Sequence, residues 1–279
     1  MATGSQGFEV DFKLEKMNTP RTVFKLAWIG VCALTMLVQT RLLLDFSAVP
    51  GWLDGFVLGG AMFAYNFTHP DRRLRAGAWM SGLFGGVCLL FSLPMTHWQM
   101  AALIPVVLWL LYYGLQRPGT AGLRGIPAAK PVVVALAWAW VTVLLPLPRE
   151  HWDEAAFIFL GRAAFIFTLA LGYDLVDMAY DRQHGLTTLA GKLGFDKTFL
   201  LINSALAVAA ACCCANYFLK IYGSETAAAL LASLAFSAWW LRFLFQKTIW
   251  HGWEKVLVDG LMVLQFVLVG FGKVVGLIA

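Results

Sequence analysis

The segment DLVDMAYDRQHGLTTLAGKLG, residues 174–194, places Asp174, Asp177 and Asp181 at i, i+3 and i+7. A continuing helix sets all three on one face. Two ionised carboxylates about 6 Å apart repel by about 3 kcal/mol at an effective dielectric near 20. The dipole at a helix C-terminus disfavours them further. Such a cluster calls for protonation or for a cation. Hard oxygen donors suit Mg2+, which takes one or two carboxylates and completes its shell with water and substrate phosphate. The competing reading is a solvated acidic loop just past a helix end.

A second polar segment, AYNFTHPDRRLRAG, spans residues 64–77. Asn66 closes an apolar run, and His69, Asp71, Arg72, Arg73 and Arg75 follow at once. Guanidinium groups match the geometry of phosphate oxygens. Equally, a basic loop beside a membrane can simply contact lipid headgroups. Tyr65, Tyr173 and Tyr180 flank the two polar segments. With His69 they are candidates to line a cavity, where aromatic faces stabilise positive charge. Most of the other aromatic residues are expected in packing and in interfacial belts.

The elements that must carry these residues are dictated by composition. Of 279 residues, 60% are hydrophobic and 13% are charged, against roughly 25% charged in soluble domains. A bilayer core about 30 Å thick is crossed by ~20 apolar helical residues. Nine such runs are predicted, over about 23–40, 52–68, 77–94, 98–116, 131–148, 154–176, 198–219, 225–242 and 256–278. The third and fourth are divided at SLPMTHW, residues 92–98, because the uncharged stretch between Arg75 and Arg117 is too long for one crossing. The expectation is an all-α polytopic membrane protein, one domain over 1–279, with nine helices around a central cavity open to the cytoplasmic side. The first twenty residues lack a basic start with a short apolar core, so the first helix is expected to be retained.

With nine spans, sixteen lysines and arginines fall with the amino terminus and the loops on its side, among them Arg72, Arg73, Arg75, Lys130, Lys192 and Lys255. Arg41, Arg149, Lys220 and Lys273 fall opposite, and Arg162 alone lies within a span. The positive-inside rule makes the amino terminus cytoplasmic and puts the carboxy terminus across the membrane. The same asymmetry accounts for the net charge of +5 without nucleic acid, since no soluble basic stripe with interleaved aromatics is present. Cys32, Cys88, Cys212, Cys213 and Cys214 sit inside apolar runs and read as small hydrophobes. Arg162 must face the bundle or snorkel, and Asp54 is a candidate partner for it. Asp259, entering the last span, is expected to border the polar region.

Residues 174–194 resemble the second aspartate-rich motif of the UbiA superfamily of intramembrane prenyltransferases. That motif runs DxxDxxxD, then a glycine and a Thr-Leu pair, commonly followed by proline. Asp174, Asp177, Asp181, Gly185, Thr188 and Leu189 match it, with Ala190 at the proline position. The resemblance implies nine helices, with aspartate motifs on cytoplasmic loops after the second and sixth. It implies Mg2+, two ions shared with a prenyl diphosphate, and transfer of the prenyl group to a lipophilic, often aromatic, acceptor within the membrane. Lys130 matches the lysine of the family's YxxxK element, with Ile126 at the tyrosine, and Lys192 matches the basic residue after the second motif. Both would then face diphosphate, together with Arg72, Arg73 and Arg75.

The first motif departs from the family pattern NDxxDxxxD. Counted from Asn66, its aspartate positions hold Phe67, Pro70 and Leu74, and Asp71 stands one place along. Either Asn66, His69 and Asp71 rebuild a metal site, or the arginines take over charge neutralisation. Two further expectations stay open: cyclisation of the ionised chain without an acceptor, and a non-catalytic isoprenoid-lipid binder or transporter.

Overall fold

The structure, a computed structural model, describes residues 19–47, 49–67, 72–93, 129–183, 188–246 and 253–278, together with 100 and 103. These contain no strand. Eight helices are defined: α1 (Thr19–Leu43), α2 (Trp52–Asn66), α3 (Arg72–Phe91), α4 (Ala129–Ala139), α5 (Ala156–Gln183), α6 (Leu189–Phe218), α7 (Ser224–Gln246) and α8 (Glu254–Ile278). Six of them, α1, α3, α5, α6, α7 and α8, carry stretches long and apolar enough to cross a membrane. The chain is a polytopic α-helical membrane protein. The predicted span 98–116 lies outside the described residues apart from 100 and 103, as does the loop at 68–71.

Packing joins α1 to α2, α2 to α3, and each helix from α4 to α7 to the next, and α8 returns to α1. A continuous core results, with Met36, Leu37, Phe165, Leu171, Ile202, Leu241 and Val258 among its fully buried members. Outward faces stay apolar, as at Leu83, Leu200, Phe218 and Leu277, which suits a hydrocarbon solvent. The α2–α3 pair approaches closely because both helices carry glycine at the crossing. A Cβ on Gly59 would stand 2.5 Å from the Ser81 carbonyl oxygen and 2.9 Å from the Gly85 Cα. Small residues permit such backbone contact between membrane helices.

Two helices depart from the predicted limits. The span predicted over 154–176 continues as helix to Gln183, and the one predicted from 198 begins at Leu189. The connection expected over 177–197 is therefore largely helical. Thr188, singled out within the motif, is the N-cap of α6, its Oγ1 accepting from the Gly191 amide at 3.2 Å. At Gly194 the chain adopts φ 75°, ψ 175° and kinks α6, a conformation open to glycine at little steric penalty. Helix α4 starts with Pro131 in its first turn, where a missing N–H breaks no bond. It ends in a π turn over Trp140–Leu144.

Candidate functional site

The end of α2, the starts of α1, α4 and α8, and the end of α5 meet at one end of the bundle. Cross-helix contacts fix this. Trp28 Nε1 donates to the Val256 carbonyl at 3.2 Å, Trp138 Nε1 donates to Tyr65 Oη at 2.9 Å, and the Tyr173 hydroxyl donates to Asp259 Oδ2. Asn66, next to Tyr65 at the end of α2, is buried, its Nδ2 donating to the Met62 carbonyl at 2.9 Å.

Asp174, Asp177 and Asp181 lie on one unbroken helix, as their spacing requires. Asp174 is fully buried, and Lys130 Nζ donates to its Oδ1 at 2.8 Å. Asp177 is half-buried and receives Lys255 Nζ at 2.9 Å. Two of the three acids are thus offset by lysines within the chain, rather than resting on a divalent ion alone. Asp181 lies in the last turn of α5, as expected of a cluster at a helix terminus, whereas Asp174 sits more than two turns inside it. Burial pushes the Asp181 carboxyl above the usual aspartate range; Lys130 draws it down, and Asp177 and Asp174 raise it again.

Asp174 Oδ2 and Asp181 Oδ2 are buried and find no hydrogen-bond partner among the described residues. Two orphaned carboxylate oxygens on one helix face fit a hard cation. The described residues contain no group of three or more His, Cys, Asp or Glu able to hold a metal ion.

Several expected participants are placed less centrally. Arg73 and Arg75 are exposed on α3, and Lys192 is exposed on α6. Arg72 begins α3 and Tyr180 lies on α5, while their side chains, like residues His69 and Asp71, lie outside the described set. Tyr65 and Tyr173 join the polar end, though in different ways. Tyr173 serves Asp259, with the Lys255 ammonium 5.7 Å from its ring centre. Tyr65 lines an apolar cavity of about 460 Å3 between α2, α3 and α4, together with Phe56, Phe63, Trp79 and Trp138.

Lys255 is a participant that its sequence surroundings do not single out. It belongs to no motif, and its only signal was its place on the charge-rich side of the tally. The expected Asp54–Arg162 pair is not formed. Arg41 takes Asp54 through two bonds of 2.7 and 2.8 Å, since both residues lie at the opposite end of the bundle, and the fork of a guanidinium matches a carboxylate. The chain matches no family model, no curated protein and no solved structure.

Proposed function

We propose that this protein is a UbiA-type intramembrane prenyltransferase, transferring a prenyl group from an isoprenoid diphosphate to a lipophilic acceptor. The observation that carries this reading is the pair of buried, unpartnered oxygens on Asp174 and Asp181, in a bundle that also holds an apolar cavity lined by Tyr65 and Trp138. A charged head and a greasy chain would both find suitable surroundings there. Asp174, Asp177 and Asp181, with Asn66 and Asp71, would hold Mg2+. Lys130 and Lys255 would donate to diphosphate oxygens, with Lys192, Arg72, Arg73 and Arg75 nearer the rim. Bound Mg2+ supplies neutralisation of charge developing on the leaving diphosphate. Tyr65 and Trp138 present ring faces and edges to the chain and exclude water from it. By the charge asymmetry, this end and the amino terminus face the cytoplasm, and the carboxy terminus lies across the membrane.

The test uses wild-type protein in lipid, offered prenyl diphosphates of increasing length, with and without a panel of aromatic acceptors. Mg2+-dependent release of diphosphate is expected, lost in Asp174→Ala and Asp177→Ala variants that still melt cooperatively. Release without any acceptor would point to a cyclase. A second reading, a non-catalytic binder of isoprenoid lipid, is favoured by one observation: the two closed Lys–Asp pairs. Saturable binding of the diphosphate without turnover would decide for it.

A further inference from the structure

Arg162 occupies the middle of the bundle in the half away from the aspartates. It precedes Asp174 by twelve residues on the same helix, about 18 Å at the rise of an α-helix. Its side chain is buried within a membrane-spanning segment. Arginine does not give up its proton in proteins, and an uncompensated charge there is strongly disfavoured. Yet no carboxylate among the described residues pairs with it. Its contacts are neutral acceptors: the Met36 carbonyl at 2.8 Å, Gln39 Oε1 at 3.0 Å and Thr142 Oγ1 at 3.3 Å.

A cavity of about 40 Å3 adjoins the guanidinium, lined also by Gln39, Asn216, Tyr222 and Gln265. Gln39 must turn its oxygen to Arg162, so its amide nitrogen is left as a donor, and that Nε2 is buried without a partner. Asn216 Oδ1 is likewise buried and unpartnered. On this measure one water needs about 10–15 Å3, so the cavity holds about three such positions.

We propose that this cavity binds a small monovalent anion of halide size, accompanied by one ordered water. The anion supplies the missing countercharge to Arg162 and accepts from Gln39 Nε2, while the water donates to Asn216 Oδ1. The inference is independent of prenyl transfer, because none of these residues belongs to the aspartate end.

The test takes the full chain in lipid nanodiscs at fixed ionic strength, with chloride replaced stepwise by gluconate. Wild-type melting is expected to rise by about 3 °C on saturation with chloride. Gln39→Glu sets a carboxylate where the amide already meets the guanidinium. It should melt higher than wild type in gluconate and respond to chloride at least tenfold more weakly. Arg162→Met should also lose the response. A bromide soak should give an anomalous peak within hydrogen-bonding reach of Arg162 in the wild-type protein, whichever variants fold. Identical wild-type melting in both salts, a Gln39→Glu response equal to wild type, or water alone in the cavity would each overturn the proposal.

Discussion

Asp174 is fully buried while Lys130, its partner, is nearly half exposed, so the two residues stand to lose different amounts if the other is removed. Lys130→Met strands a carboxylate inside the bundle and is expected to destabilise by about 2 kcal/mol, below a fully buried pair because the lysine is partly solvated. Asp174→Asn should be milder, and the double variant should recover most of the loss; melting of all four proteins closes the cycle. Asp181 gives a pH signature. Its folded carboxyl titrates above the ordinary value of about 3.9 because it is buried. The folded state therefore binds more protons than the unfolded one, and stability falls as pH rises from that ordinary value through the raised one. In chelator-treated protein, Asp181→Asn should flatten this part of the melting profile and melt above wild type at neutral pH. An unchanged slope would show that Asp181 is not the group responsible.

The α2–α3 crossing and the long reach of α5 are properties of elements rather than of single groups. A side chain at Gly59 would collide with the backbone of α3, which cannot rotate away as a flexible side chain could. Gly59→Leu should therefore separate the two helices and destabilise by about 1–3 kcal/mol. Gly60→Ala, where an added Cβ meets nothing within 4 Å among the described residues, should be neutral or slightly stabilising. Equal losses from both changes would show that the close approach is not what packs this pair. Lys130 and Lys255 reach Asp174 and Asp177 on α5 from two other helices.

Across the whole molecule, the ends of the bundle are chemically distinct. One gathers Asn66, Lys130, the three aspartates, Lys255 and Asp259. The other holds the Arg41–Asp54 pair and the Lys273–Asp45 contact at 2.7 Å. Cysteine introduced at Ser47 is expected to react with an impermeant thiol reagent from one face of the membrane only, and cysteine at Lys192 from the other. Cys32, Cys88, Cys212 and Cys213 are buried, and the partly exposed Cys214 is replaced by serine in this background. Labelling of both positions from the same face would contradict the antiparallel order of the helices. The charge tally further expects the Ser47 face to be the outer one.

Membrane class, helical architecture and the shared face of three acids were all legible in the sequence. Apolar run length and a spacing of three to four residues are local properties that no distant contact can reverse. Helix limits were legible only where hydropathy changes. For that reason the polar continuations of α5 and α6 read as a loop, although tertiary partners and the Thr188 cap keep them helical. Which charges pair could not be read at all. Arg41 and not Arg162 meets Asp54, and Lys255 meets Asp177, because pairing depends on which helix ends come together in space. Sequence thus determined what the chain is made to dissolve in and which face carries its acids. Only the packed bundle decided which cations reach those acids, and which buried arginine has no acid beside it among the described residues.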